Sequence, residues 1–314
     1  MSNKELNVVI GTGALGLAVM DELVSQGRHV RLVNRTGIAD VPNSVSVVKA
    51  DVTETTAIRK ACEGATVIYH CAVPDYGLWK ELFPSLMQGI IEVAEHIGAK
   101  VVYADNLYMY GLPKGKITED LPTIPVSKKG EVRMQVADML LNAHQTGKVK
   151  VTIARGSDFF GERVRTSSLG EQVFGAILED QPASVLGNID LLHTYTYIRD
   201  FAKAMVILAD HEKALGEVWH VPNSETKTTR QFIEQIYALE NKQARFRIAP
   251  KFIVTIMALF NKNMKEIKEI KEMLYQYENS CVVDHSKFEQ AFDMTATPYK
   301  EAIKATMSWY KNNF

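Results

Sequence analysis

The stretch that most narrows the fold is LNVVIGTGALGLAVMDELVSQG, Leu6 to Gly27. A short apolar run, Leu6–Ile10, stops at a glycine. Ala14–Gln26 then places apolar residues at helical spacing and closes at Gly27. Strand, glycine loop and helix in that order open a βαβ unit, whose strands lie parallel. The rhythm continues down the chain. His29–Asn34, Val45–Ala50, Thr66–Cys71, Lys100–Ala104 and Lys148–Ala154 read as strands. Thr53–Cys62, closed by Gly64, Trp79–Ile97, closed by Gly98, and Gly130–Thr146 read as helices, with Pro84 near the start or at a kink of the long one. Strands this continuously apolar are buried on both faces, which requires a parallel sheet with helices on each side.

The expected fold class is therefore α/β, a Rossmann-type doubly wound parallel sheet. After about Arg155 the rhythm loosens. Helices at Ser168–Leu178 and Arg199–Ala209 alternate with extended pieces at Ser184–Leu186 and Glu217–Val221, and from Thr228 the chain reads as mostly helical apart from FRIAP and CVVDHS. The division expected is a nucleotide-binding domain over 1–155 and a smaller, mostly helical substrate region over 156–314, packed on the first and sharing elements with it.

Composition removes several function classes. A chain of 314 residues that is 46% hydrophobic and 23% charged suits a globular protein of one large domain or two closely packed ones. A net charge of −1 gives no field for nucleic acid or an anionic membrane. Cys62, Cys71 and Cys281 form no CxxC pair and read as buried thiols in a reducing compartment. The first residues enter a strand almost at once, which fits no signal peptide, and the apolar run Phe252–Phe260 is too short to span a bilayer. A cytoplasmic protein acting on a small molecule is expected. Histidines are scattered, without metal-binding spacing, and no GxSxG elbow is present.

GTGALG, Gly11-Thr12-Gly13-Ala14-Leu15-Gly16, fits a dinucleotide. Gly11 allows the tight turn, Gly13 lets backbone approach a pyrophosphate, and Gly16 lets the helix pack on the strand. The helix N-terminus supplies N–H groups and positive potential for the anion. The second strand ends in Asn34-Arg35, where NAD-binding folds place a carboxylate for the ribose 2′-hydroxyl. A carboxylate repels a 2′-phosphate and an arginine attracts it, so NADP is expected ahead of NAD.

These residues, with others along the chain, carry a resemblance. The sequence resembles the extended short-chain dehydrogenase/reductases of the atypical branch, similar to NAD(P)-dependent epimerases and dehydratases. Ala50-Asp51-Val52 resembles the family's small-Asp-apolar step, whose aspartate reaches the adenine. His70-Cys71-Ala72 resembles its His-x-Ala element beside the cofactor, which Val73 extends. Val101–Gly111 resembles its catalytic edge. Arg155-Gly-Ser-Asp158-Phe159-Phe-Gly161 resembles its Arg…Asn-x-Tyr-Gly element, and Tyr197-Ile-Arg-Asp200 its Val-x-Asp segment. VVDHSKFEQAF and TPYKEAIKATMSWY resemble its closing elements. In the first motif the family usually writes GxxGxxG, whose first glycine falls here on Ile10.

The resemblance implies a catalytic tyrosine and lysine four residues apart on one helix face, plus a serine or threonine. The chain departs from that set. The serine slot holds Asn106. On the helix beginning PVSKKGEVRMQ, one alignment puts Lys129 and Arg133 in the two slots, and another puts Pro125 and Lys129 there. Neither supplies a phenol. Lys129 is expected to bind ribose hydroxyls and Asn106 to donate to a substrate oxygen. Tyr108 or Tyr110 stands in for the missing phenol, with Tyr108 nearer Asn106 and the two sharing one side of extended chain. Asp158, Phe159, Tyr195 and Tyr197 are expected at the substrate, and His193 offers a further acid or base, though a surface or hydrogen-bonded structural role is the stronger expectation for it. Phe252–Gln276 reads first as a core helix followed by a solvated one, and second as a pocket cover or the contact of a homodimer. The function expected is an NADP-dependent oxidoreductase, epimerase or dehydratase acting on a small carbonyl, alcohol or nucleotide sugar. The alternative is an NADP(H)-binding redox sensor or scaffold with a degenerate site.

Overall fold

A computed structural model of the chain describes residues 5–249 and 272–314. Its centre is a seven-stranded sheet, parallel throughout. The strands in chain order are β1 (Leu6–Ile10), β2 (His29–Asn34), β3 (Ser46–Lys49), β4 (Ala65–His70), β5 (Lys100–Asp105), β6 (Val151–Arg155) and β7 (Val218–His220). In space they run β7-β6-β5-β4-β1-β2-β3. The order reverses between β1 and β4, and in sheets of this kind ligands bind at the carboxyl ends of the strands beside that reversal.

Helices cover both faces, as the apolar strands demand. On one face, α2 (Thr55–Ala61), α3 (Trp79–Ile97) and α4 (Lys128–Gln145) pack Phe83, Ile90, Val136 and Leu140 against Val8, Ile68, Val101 and Ile153. On the other, α1 (Ala14–Ser25) and α5 (Ile198–Asp210) pack Val19, Leu23, Phe201 and Met205 against Val9, Tyr69 and Val102. Pro84 lies in the second turn of α3, so the helix proceeds through it. The Ser127 hydroxyl caps α4 by accepting from Gly130 N.

Beyond residue 155 the chain builds a second core and returns to the first. Val218–His220 pairs with β6 and becomes the outer strand of the main sheet, so the two regions share it. The second core joins α6 (Thr229–Leu239) and α8 (Tyr299–Asn313) around Phe160, Phe174, Phe232 and Tyr299, and α7 (Ser286–Ala291) lies between them in sequence. Small strand pairs brace it: Phe159–Phe160 with Thr196–Tyr197, and Ala183–Leu186 with Phe246–Ala249. Where one helix was expected over Ser168–Leu178, the chain makes a π-helical turn, Gly170–Gly175, and then one short α turn. Most of Phe252–Gln276 lies outside the described residues; Leu274–Tyr277 forms a 3-10 turn. Among the described residues no helix is long and apolar enough to cross a membrane.

Candidate active site

The glycine loop joins the end of β1 to α1 and faces the loop after β4. Gly11 has φ +101°, and a Cβ there would meet Ala72 N at 2.9 Å, so the first glycine is demanded by backbone conformation and by the neighbouring loop. A Cβ on Gly16 would overlap the carbonyl oxygen of Gly11 and lie 3.6 Å from Cys71 Cβ. Gly13 differs from both. Its φ of −69° suits any residue, and a Cβ there would meet nothing within 4 Å. It is the N-cap of α1, no side chain caps the helix, and the first turn carries no acid. The N–H groups of this end and the positive end of the helix dipole therefore point into open space. Ala14 and Leu15 form that first turn. A dinucleotide pyrophosphate fits a cradle that a Cβ at Gly13 would fill.

Strand register sets where the other residues expected at a cofactor lie relative to the loop. Ile10 pairs with Val33 and with His70, which brings Asn34 and Cys71 to either side of it. The Asn34 carboxamide donates to Thr12 Oγ1 (3.1 Å) and accepts from Gly37 N (2.6 Å), tying the β2 turn to the glycine loop. The Arg35 side chain is 70% exposed and reaches Asp75 at 4.0 Å. Asp51 accepts from Thr53 N and Thr53 Oγ1, bonds that hold its carboxyl below the usual range. Val52 is half-buried beside it, and Val73 is exposed at the lip. Burial pushes the Cys71 thiol up to about 12, which makes it an inert wall group.

At the end of β5 the structure changes the sequence picture. Tyr108 and Tyr110 do not share a side of an extended strand. Asn106 Oδ1 accepts from Tyr108 N (3.1 Å), the chain turns, and Tyr108–Tyr110 forms a 3-10 turn. The two rings part company. Tyr108 stacks on Trp79 at 6.4 Å, and burial followed by the nearby Asp158 raises its pKa well above the ordinary phenol value. Tyr110 points into the interior, where its hydroxyl meets Arg155 Nη1 at 2.8 Å and His220 Nε2 at 2.9 Å.

Lys129 and Arg133 lie on α4 and are both buried. The Lys129 ammonium donates to the Tyr76 carbonyl and sits 3.5 Å over the Tyr76 ring and 4.8 Å from the Trp79 ring. Arg133 turns inward. Its Nη1 donates to Tyr103 Oη at 2.6 Å and lies 3.4 Å from Asp105 Oδ1. Arg155 Nε holds the other oxygen, Asp105 Oδ2, at 3.0 Å. Asp105 is thus a fully buried carboxylate between two guanidinium groups, at the floor of the candidate site. Sequence reading passed over it. The signal was available: Asp105 and Arg155 end adjacent parallel strands in direct register, so a charge at one predicts its partner at the other. His70, at the end of β4, stacks on Tyr103 at 5.7 Å, and burial lowers its pKa to about 3.

The substrate candidates divide. His193 is buried rather than at the surface, and with Tyr195 it lines a cavity of about 270 Å³, together with Tyr277, Thr229, Asn188 and Arg247. Tyr195 donates to or accepts from Thr229 Oγ1 at 2.8 Å. Asp158 is half-buried, with Oδ2 3.3 Å from His193 Nε2. Tyr197 turns away from the cavity: its hydroxyl donates to the Glu162 carboxylate (3.0 Å), which Arg199 also holds. Phe159 is half-buried in the short strand beside Asp158. Tyr277, in the Leu274–Tyr277 turn, was not foreseen, because its segment lies over 80 residues from Tyr195 in sequence and meets it only in the fold.

Comparison with known proteins fits this geometry. The model of a family described as the NAD dependent epimerase/dehydratase family matches residues 8–221. An uncharacterized UDP-glucose epimerase of Bacillus subtilis is 21% identical over 207 residues, 63% of this chain and 66% of that protein. A putative UDP-arabinose 4-epimerase of Arabidopsis thaliana is 25% identical over 169 residues, 46% of this chain and 39% of that protein. The chain thus matches less than two thirds of these curated relatives' lengths. Among solved structures, UDP-glucuronic acid 4-epimerase from Bacillus cereus in complex with NAD has a TM-score of 0.77 at 18% identity, covering 98% of this chain and 99% of that one. The UDP-glucose 4-epimerase of Thermus thermophilus, also with NAD, has a TM-score of 0.79 at 17% identity, covering 98% and 100%. These likenesses establish the shared fold.

Proposed function

Because the chain belongs to the NAD dependent epimerase/dehydratase family, we propose that it binds a nicotinamide dinucleotide at the ends of β1, β2 and β4 and oxidises or reduces a hydroxyl-bearing carbon of a nucleotide sugar. The observation that carries the reading is Gly13, a helix cap whose missing Cβ is explained by no protein atom. In this reading Gly11 to Gly16 cradle the pyrophosphate, Asp51 and Val52 border the adenine, and Cys71, Ala72 and Val73 form the opposite wall. When bound, the dinucleotide supplies the hydride acceptor or donor. The chain's own groups do the rest. Asn106 orients the substrate oxygen, Tyr108 gives or takes its proton, and Lys129 stiffens the Tyr76–Trp79 edge of the site. Arg133, with Arg155, holds Asp105 beneath them. The cavity takes the substrate, with Arg247 for its diphosphate and Asp158, Phe159, Tyr195 and, through Glu162, Tyr197 shaping the sugar end.

The finer cofactor choice is NADP. Arg35 is exposed and long enough to reach a 2′-phosphate, and Asn34 offers no carboxylate to repel one. The two solved structures named above carry NAD, so the choice rests on these two residues alone. Titration calorimetry with NADP and NAD decides it, and equal or reversed affinity would sink it.

A second reading, a dinucleotide-binding sensor or scaffold without turnover, is favoured by one observation: Lys129 and Arg133 are committed to Tyr76 and to Asp105 and Tyr103. The test is incubation with a panel of UDP- and dTDP-sugars and dinucleotide, followed by NMR for a changed sugar. Conversion supports the enzyme. Tight dinucleotide binding with no conversion across the panel supports the sensor. Light scattering on the purified chain tests the homodimer expected from sequence.

A further inference from the structure

The nucleotide-sugar reading leaves open which sugars fit, and solved proteins of this shape bear names for both a neutral sugar, UDP-glucose, and an acidic one, UDP-glucuronic acid. The Asp158–His193 pair speaks to that choice. His193 forms part of the cavity wall and is 6% exposed. Its Nε2 and Asp158 Oδ2 are 3.3 Å apart, both sealed from solvent, and neither has a hydrogen-bond partner elsewhere. A small rotation of either side chain converts that approach into an Nε2–H donated to the carboxylate, which relieves two orphaned buried atoms at once. The ring tilts against Tyr195 at 4.6 Å, which limits its freedom otherwise.

That bond fixes the tautomer. In the neutral ring a proton on Nε2 leaves Nδ1, which is not among the sealed atoms, as the acceptor that His193 offers the cavity it lines. We propose, resting on the nucleotide-sugar reading, that Asp158 and His193 form a receptor for a hydroxyl of the substrate sugar and reject a sugar carboxylate. A hydroxyl donates to Nδ1. A carboxylate has no proton to donate, and it meets a lone pair backed by the Asp158 carboxylate. Arg247, the cation of the described cavity lining, stands on the separate Phe246–Ala249 strand and is assigned to the diphosphate. His193 is here a specificity residue, and Asp158 a positioning residue that acts through it.

The experiment is titration calorimetry of the full chain with UDP, UDP-glucose and UDP-glucuronic acid, on wild type, Asp158→Asn and His193→Gln. The expected result is UDP-glucose bound about tenfold or more tighter than UDP-glucuronic acid by wild type, with the gap narrowed in both variants. UDP itself should bind all three proteins alike. Nitrogen-15 NMR of the imidazole should show the Nε2–H tautomer in wild type and its loss in Asp158→Ala, which offers no acceptor, a signature that a merely structural role for Asp158 would not produce. Equal binding of the two sugars by wild type, or a gap unchanged in both variants, overturns the receptor while leaving the nucleotide-sugar reading intact. Failure of UDP and both sugars to bind any of the proteins overturns the nucleotide-sugar reading itself, and the receptor with it.

Discussion

The glycine loop and the floor of the β5 edge are built on opposite plans. At the loop, the protein leaves room: Gly13 faces no protein atom, and the first turn of α1 has neither a cap nor an acid. At the floor, the protein holds the carboxylate with its own groups, while Arg133 Nε stays buried without a partner among the described residues. Asp105 has both oxygens taken by Arg133 and Arg155, and Arg155 goes on to Tyr110, which goes on to His220. A helix end that the fold leaves open can take a ligand, whereas a carboxylate whose two oxygens the fold already holds is architecture. The contrast sets an open helix end at Gly13 against a carboxylate, Asp105, that the fold itself holds, although both stand at strand ends beside the same candidate site.

The sharpest way to break this comparison is Asp105→Ala. It would leave two buried guanidinium groups without their anion, and the expected cost is about 3–5 kcal/mol in urea unfolding. A variant as stable as wild type would show that the floor does not depend on the ion pair. The mirror experiment is Gly13→Val. Its backbone angles suit valine and no protein atom opposes the side chain, so the melting temperature should hold. Dinucleotide affinity should fall by about a hundredfold or more, roughly 2.7 kcal/mol. Lost stability with intact affinity would reverse the contrast.

Arg35→Ala sharpens the loop side of the comparison further. It should weaken NADP by roughly 1.5–3 kcal/mol and leave NAD unchanged, as read by the same calorimetry. The smallest effect concerns the floor. Burial lowers the His220 pKa from 6.5 to about 4. Below pH 6.5 the unfolded chain binds a proton that the folded one refuses, so the stability His220 contributes is complete above pH 6.5 and is lost as pH falls toward 4. The loss is about 1 kcal/mol between pH 6.5 and roughly 5.5. His220→Gln should cut that part of a stability–pH curve to roughly half its slope, since buried His70 is held neutral in the same way, measured by urea midpoints; an unchanged slope would place the titrating group elsewhere.

Most of the sheet was legible because its signals are local. Short apolar runs gave β1, β2 and β4 to within a residue or so, the first of them ending at a glycine, and the helix spacing of Trp79–Ile97 matched its observed bounds. The seventh strand was legible only as an extended piece. Nothing local distinguishes Val218–His220 from the short strands of the second core, since its place beside β6 depends on α5 crossing the sheet first. In the candidate site, Gly11 to Gly16 join β1 to α1, and Asn34 stands at the end of β2, tied to the loop through Thr12. Tyr108 and Tyr110 do not point together, because one hydrogen bond from Tyr108 N to Asn106 turns the chain between them.

By itself the sequence determined the things that a few consecutive residues decide: which segments are strands, which are helices, and where a glycine-rich turn joins the first strand to the first helix. Tertiary structure alone decided which charges meet. Arg133 comes to Asp105, His193 to Asp158 and Tyr277 to Tyr195's cavity from segments far apart in the chain. The physical reason is that backbone conformation is set by sterics and hydrogen bonds within a few residues. A buried ion pair or a cavity wall exists only after the sheet order has brought distant strand ends within a few ångströms of one another and excluded the water that would have served them separately.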